Sequence, residues 1–287
     1  MSITVCTFIK RENNYIDEWL SWHLSIGVDK FIIYDNNDGR EDYPMTDFVS
    51  KKVMEKKVKV IYKRNETIDK NKEWKNMYNM CMTKWMVFLD VDEYIKLNNG
   101  MSINEWLNQE KFNDADNIRV SVKCFSKVNN EFTGDYSIQD RLKLEIPYPN
   151  RYNRAVKTFI KCGHEEAKYV TSDGVYAKNT NTIYCNGTQM HINIHSVKDV
   201  DFSEIEIDAY PTKTMEEFCF QKIGRNRNVD NTTIDEYKKK YFEVNRYSVE
   251  NEQKFEHLIS KAYGTIDRNT HSYAMFDFGD GQSNDAK

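Results

Sequence analysis

The sequence predicts an α/β fold, a mostly parallel sheet flanked by helices, with a helical segment toward the C-terminal end. Short β-branched and aromatic runs alternate with amphipathic helical stretches through the first 90 residues. Such alternation implies parallel strands joined by crossovers that cover both sheet faces. Helix-start signatures then gather after Thr214, where strand-like runs give way to helical periodicity.

Taken in order, "ITVCTFI" (3–9) is a continuous apolar run and reads as a buried strand. In "NNYIDEWLSWHLSIG", Ile16, Trp19, Leu20 and Leu24 share one helical face, with Asn13 or Asn14 as cap and Gly27 as stop. "KFIIY" (30–34) is a second strand that ends in the polar turn "DNNDGRED", and "VKVIY" (58–62) is a third. "NKEWKNMYNMCMTK" places Trp74, Met77, Tyr78 and Cys81 on one helical stripe, a core-facing pattern. "WMVFL" (85–89) forms the fourth strand. Ser102-x-x-Glu105 is a capping box for a short helix, and "NIRVSVKCF" (117–125) is another strand. The polar, Tyr-rich stretch that follows, to about residue 200, has no clear period. Thr214-x-x-Glu217 and Thr233-x-x-Glu236 read as further capping boxes. Phe255, Leu258, Ile259 and Ala262 share a face before a stop at Gly264. We therefore expect one domain over 1–212, helices over 213–275 and a flexible tail over 276–287.

Composition narrows the class. A hydrophobic fraction of 39% with 13% aromatics supports a real core, while 30% charged residues and a mean hydropathy of -0.77 indicate a soluble globular protein. A net charge of -4 leaves no global basic footprint, so nucleic acid is not an expected partner. The apolar runs fall short of the roughly 18 residues that a membrane span requires. "MSITVCTFIK" has neither the basic start nor the apolar length of a secretion signal, which predicts a cytoplasmic chain. Six dispersed cysteines without a CxxC pair read as reduced, mostly buried thiols.

Ligands of open parallel sheets bind outside the carboxyl ends of the strands. Three polar clusters are forced onto that edge: Lys10-Arg11-Glu12, Asp35-Asn36-Asn37 and Asp90-Val91-Asp92. Paired carboxylates at a strand end suit a hard divalent ion such as Mg²⁺ or Mn²⁺ that also bridges substrate phosphates. An EF-hand loop counted from Asp90 fails, because Ile95 and Met101 stand where Gly and Glu are needed. A phosphatase of the haloacid dehalogenase type also uses Asp-x-Asp, but Tyr94 stands where that pattern has a small residue, and three strands precede it here. The plainest alternative is that Asp90 to Glu93 only solubilise a strand end.

The residues also carry a resemblance. "FIKRENNYIDEWLSWHLSIGVDKFIIYDNND" resembles the opening of family 2 or family 92-like glycosyltransferases, through Glu12, Glu18, Trp19, His23, Gly27, Tyr34, Asp35 and Asn36. "YNMCMTKWMVFLDVDEYI" is similar to a second block of that family, through Tyr78, Asn79, Cys81, Trp85, Phe88, Asp90, Asp92 and Glu93. "IQDRL", "VKTFIK" and "YPTKTMEEF" resemble its later blocks, so the similarity covers about 5–225. One departure stands out: the family has His before the Tyr of the last block, where this chain has Ala209 before Tyr210.

The resemblance implies a GT-A fold, with a nucleotide-sugar half over about 1–100 and an acceptor-side half over about 101–212. It implies a UDP-sugar donor, a glycan or lipid-linked glycan acceptor, Mn²⁺ or Mg²⁺ as cofactor, and inversion at the anomeric carbon. On that basis Asp35 and Asn36 would meet the nucleoside, and Asp90 the ribose and a metal-bound water. Asp92 would hold the metal, and Lys10, Arg11 or Lys157 would neutralise phosphate beside Glu12. His191, or His195, would compensate for Ala209 as a metal ligand. A carboxylate base is needed for inversion. Asp173 in "TSDGVY" is the first choice, since Gly174 permits a tight turn, and Glu165 and Glu166 in "GHEEAK" are the others. Two further enzyme classes, a metal-dependent phosphatase and a nucleotidyltransferase, fit the same acidic edge. So does a degenerate GT-A domain that binds nucleotide or glycan without turnover.

Two features have plainer readings. His23 lies on the apolar stripe of its helix and reads as a hydrogen-bonded packing residue. "YKKKY" (237–241) reads as a solvated helix face, or as a basic aromatic patch for peripheral contact with an anionic membrane.

Overall fold

In the computed structural model the described residues are 2–37, 45–50, 53–54, 57–64, 66–126, 137–146, 152–164, 167–177, 179–193, 196–219, 231–245 and 248–264. The first half alternates as expected: β1 (Ile3–Ile9), α1 (Asn13–Ser25), β2 (Lys30–Asp35), β3 (Val58–Tyr62), α2 (Lys70–Met80) and β4 (Trp85–Phe88). β1 runs parallel to both β2 and β4, and β2 runs parallel to β3. Next come β5 (Glu93–Leu97), α3 (Ile103–Leu107), β6 (Asn117–Ser126), α4 (Ile138–Arg141), β7 (Leu144–Glu145) and β8 (Val156–Lys161). The irregular stretch resolves into β9 (Tyr169–Thr171), β10 (Gly174–Tyr176), β11 (Thr182–Tyr184), β12 (Gln189–Met190) and β13 (Ile205–Ala209). Helices α5 (Met215–Phe218), α6 (Asn231–Val244) and α7 (Val249–Gly264) complete the described chain.

The main sheet has the order β12-β11-β6-β8-β4-β1-β2-β3, with β13 joining β5 to β6. β8 is antiparallel to both of its neighbours, β4 and β6, and this reversal leaves β6 parallel to β4; edge strand β12 is also antiparallel to β11. The predicted mostly parallel sheet flanked by helices is what forms. On one face Val5, Phe31, Val87, Phe159 and Val120 pack under Ile16, Trp19 and Leu20 of α1. On the other, Cys6, Ile32, Met86 and Ile160 pack under Met77 and Tyr78 of α2 and under Val170 and Val175 of the β9–β10 hairpin. Burying each such aliphatic side chain contributes about 1.5–3 kcal/mol. Met215, Phe218, Tyr241, Phe255 and Ile259 close a separate small core among α5, α6 and α7.

Two of the capping expectations hold: Ser102 with Glu105 and Thr214 with Glu217 form complete capping boxes. Two do not. Helix α1 begins at Asn13, with Glu12 in the cap position and no side-chain cap. Asn13 Oδ1 instead accepts from Asn37 Nδ2 at 2.8 Å, so a tertiary bond takes the group that would have capped. Helix α6 starts at Asn231, which puts Thr233 inside its first turn and not at its boundary. The expected tail over 276–287 lies outside the described residues.

His23 behaves as a packing residue. It is fully buried, Ile95 N–H donates to its Nε2 at 3.3 Å, and its Nδ1 lies 2.8 Å from Trp19 O. An accepting Nε2 fixes the neutral tautomer with the proton on Nδ1, and burial pushes the ring down to about 4. Among the described residues no helix is long and apolar enough to cross a membrane.

Candidate functional site

Backbone pairing aligns the strand ends that the sequence pointed to. Ile9 pairs with Asp35, and Asn36 N–H donates to Ile9 O at 2.9 Å. Lys63 N–H donates to Asp35 O at 2.8 Å, and Leu89 N–H to Cys6 O at 3.0 Å. Asp35 and Asp90 therefore leave strands on either side of β1, two strand spacings or roughly 10 Å apart. The Asp35 carboxylate is fully buried, and it accepts from Asn37 N at 3.0 Å and Met45 N at 3.2 Å. Asn36 Nδ2 donates to Lys63 O at 2.6 Å and Glu66 O at 3.0 Å, bracing the β2 and β3 ends against each other. Arg11, at φ 58, donates its N–H to Asn37 Oδ1 at 2.7 Å. Lys10 is half-buried and Glu12 is buried on the same edge. These residues build a shelf beyond β1 to β3.

The acidic turn between β4 and β5 lies beside that shelf. Asp90 is 68% exposed and Asp92 is buried. Glu93 folds back so that its Oε2 accepts from Asp90 N at 2.8 Å. Lys157, near the start of β8, donates to Glu93 Oε2 at 2.6 Å and stands 4.0 Å from Asp90 Oδ2. Burial pushes the Glu93 carboxyl up to about 7; Lys157 opposes this, and the charges of Asp90 and Asp92 add to it. Lys157 is itself raised, because the attraction of Glu93 and Asp90 outweighs burial.

A second cation meets the turn from far along the chain. Lys213 Nζ donates to Asp92 Oδ2 at 2.8 Å, with both side chains buried. Its backbone is left-handed, at φ 51, and its ammonium lies 5.3 Å from the centre of the Tyr15 ring. The capping box that follows is tied in as well. Glu217 accepts from Arg141 Nη1 at 2.8 Å and from Tyr15 OH at 2.5 Å, and the Tyr210 N–H donates to Asp92 O at 3.0 Å. Ala209 pairs with Glu93 across β13 and β5, so the position that holds His in the resembling family borders the acidic turn.

A third group forms around Arg119 on β6. Its guanidinium is fully buried, and Nη2 donates to the carbonyls of Asp173 (3.4 Å) and Ile192. Asp173 thus sits at the tip of the β9–β10 hairpin, tethered to the central sheet. Gly174 has φ +148, and a Cβ there would come within 2.8 Å of Asn117 Oδ1. Asn117 is the reason for that close approach: its side chain accepts from Val175 N at 2.9 Å and donates to Val175 O at 3.1 Å, standing in for a strand neighbour. Arg119 pairs with Thr158, which puts it on the opposite sheet face from Lys157. His191 lies exposed just past β12, where its Nδ1 accepts from Asn193 N at 3.2 Å, and no described contact joins it to the acidic turn. Glu165, Glu166 and His195 lie outside the described residues.

The donor set can be tested against a divalent ion. Asp90 and Asp92 offer hard oxygens, and Mg²⁺ is commonly bound by one or two carboxylates plus substrate phosphates. Among the described residues there is no group of three His, Cys, Asp or Glu side chains able to hold a metal by themselves. The chemistry fits an ion shared with a substrate. It does not fit one caged by protein alone.

No family model matches the chain. A Ricinus communis protein described as a glycosyltransferase family 92 protein is 21% identical over 158 residues. In sequence the chain is similar to part of that protein. The match takes in 53% of the chain and 28% of the length of that relative. Among solved structures, S. aureus TarS 1–349 is 12% identical, with a TM-score of 0.39 over 94% of this chain and 74% of that one. TarS 1–349 in complex with UDP-GlcNAc is 14% identical, with a TM-score of 0.39 over 91% and 80%.

Of the residues singled out in the sequence, Asp90 and Lys157 come within 4.0 Å of each other and Asp92 lies in the same turn, whereas Lys213 and Arg119 were not singled out. The signal for Lys213 was present: a lysine directly before a Thr-x-x-Glu capping box, inside a block already singled out. For Arg119, an arginine in the middle of an apolar strand was the available clue.

Proposed function

We propose that this chain transfers a sugar from a nucleotide-sugar donor, UDP-linked, to a hydroxyl of a glycan or lipid-linked glycan acceptor, with inversion. The observation that carries the reading is the acidic turn of Asp90, Asp92 and Glu93, held by Lys157 and Lys213 beside the Asp35–Asn36 shelf. In this reading the nucleoside lies on the shelf, where buried Asp35 and braced Asn36 give a rigid floor. The diphosphate points at the acidic turn. Asp90 is the exposed carboxylate there, and Asp90 with Asp92 would hold Mn²⁺ or Mg²⁺. That ion would supply Lewis-acid stabilisation of the charge on the departing diphosphate.

The chain's own residues do the rest. Lys157 keeps an ammonium beside the diphosphate position and offsets part of its charge. The acceptor oxygen attacks the anomeric carbon as the bond to the diphosphate breaks. Its proton passes to a carboxylate base; Asp173, the first choice from the sequence, is held through Arg119 on the sheet face opposite Lys157. A second reading, nucleotide binding without turnover, is favoured by one observation: Ala209 brings no donor group to the turn that it borders.

Calorimetry with UDP, with and without Mn²⁺, tests the first step. The expected result is metal-enhanced UDP binding that Asp92→Ala abolishes; binding indifferent to both would overturn the reading. UDP release from a panel of UDP-sugars then separates turnover from binding alone.

A further inference from the structure

Cys81 and Cys162 lie 81 positions apart in the chain, yet their sulfurs are 3.0 Å apart, inside ordinary sulfur–sulfur contact. Cys81 ends α2, and its N–H donates to Tyr78 O at 3.1 Å. Cys162 follows β8, and its N–H donates to Lys84 O at 2.9 Å. Tyr78 OH also donates to Lys161 O at 3.1 Å, so the helix end and the strand end are held together independently of the sulfurs. Both residues are half-buried, whereas Cys6, Cys124, Cys185 and Cys219 are buried. None of these groups belongs to the site described above. Lys161 pairs with Trp85 at the start of β4, while the acidic turn follows its end. The two places are roughly 16 Å apart along the strand.

We propose that Cys81 and Cys162 are a thiol-oxidation site that closes to an intrachain disulfide on reaction with a low-molecular-weight disulfide of the glutathione type. The Cys81 thiolate attacks one sulfur of the reagent and expels the other as a thiolate. Cys162 then attacks Cys81 Sγ, its proton passes to solvent or to a released thiolate, and the second reagent thiolate leaves. Two electrons move from the cysteine pair to the reagent, which is released as two thiols. Local chemistry sets the order. The hydrogen bond from Cys162 brings Cys81 down to about 6 against the opposing effect of burial, and Thr83 Oγ1, at 3.1 Å, helps. Cys162, the donor, is raised, which suits the resolving thiol. Closure needs the sulfurs to move about 1 Å, to a bond of roughly 2.05 Å. The bridge would enclose Asp90, Asp92, Arg119 and Lys157 in one loop and so restrict the unfolded chain there.

The test is a redox titration of the whole chain in mixed reduced and oxidised glutathione, followed by alkylation in denaturant and non-reducing peptide mapping. The expected result is one cross-linked peptide pair, Cys81 with Cys162, a fall from six free thiols to four, reversal by dithiothreitol, and a higher unfolding midpoint when oxidised. Cys162→Ser should trap a stable glutathione adduct on Cys81, and Cys81→Ser should give neither adduct nor bridge. Six thiols persisting in fully oxidised glutathione, a bridge between another pair, or Cys162→Ser without an adduct on Cys81 would each overturn the assignment.

Discussion

Consider replacing Lys213 by Met, which keeps most of the aliphatic stem and deletes the ammonium on Asp92. The pair is 2.8 Å long, with side chains only 2% and 6% exposed. At an effective dielectric of 20 the Coulomb attraction at that distance is about 6 kcal/mol, much of it offset by the desolvation of both charges. What a truncation measures is the penalty of a buried carboxylate that has lost this ammonium, roughly 3–5 kcal/mol. The left-handed backbone at Lys213 adds about 1–2 kcal/mol of strain that Met retains, so the difference isolates the charge. Urea unfolding at pH 7 is the assay. Lys213→Met and Asp92→Asn should each lose roughly 3–5 kcal/mol, and the double variant should recover at least about 2 kcal/mol relative to their sum. Single losses below about 0.5 kcal/mol that simply add in the double variant would mean that the pair is not a buried unit.

Three further outcomes follow from the same geometry. Glu93 holds its proton up to about 7 in the folded state and only to about 4.5 in the unfolded chain, so stability falls as pH rises through that window, by up to about 3 kcal/mol. Urea midpoints of Glu93→Gln should lack that slope. His23 has the opposite sign: its folded value near 4 lies below the unfolded value of about 6.5, so stability falls as pH drops through that range, again by about 3 kcal/mol. His23→Gln should flatten the acid limb, and an unchanged limb would refute the neutral-histidine reading. Gly174→Ala should cost about 1–3 kcal/mol, because the new Cβ meets Asn117 at 2.8 Å and the backbone is one that glycine favours. If the β9–β10 hairpin positions the base, transfer rate in that variant should fall by a larger factor than UDP affinity.

Much was legible in the chain by itself. The period of its apolar residues determined four parallel strands and the helices between them, because burying a helix stripe or a two-faced strand requires that spacing. The same pattern put Asp35 and Asp90 on one edge, since parallel strands all end on the same side. Local signals were reliable where the group they named had no competing partner, as at Ser102 and Thr214, and failed at Asn13, whose side chain was drawn to Asn37. Strands β9 to β12, of two or three residues each, are too short to show a period. Tertiary structure decided which charges meet. Lys213 reaches Asp92 across 121 positions and Arg119 reaches Ile192 across 73, and no spacing rule encodes such a contact. It also decided the state of each carboxylate in one short turn: Asp90 open to water, Asp92 on an ammonium, Glu93 buried and raised. Glu93 departs from the ordinary carboxylate range because proton affinity depends on burial and on neighbouring charge, which exist only once the chain has folded.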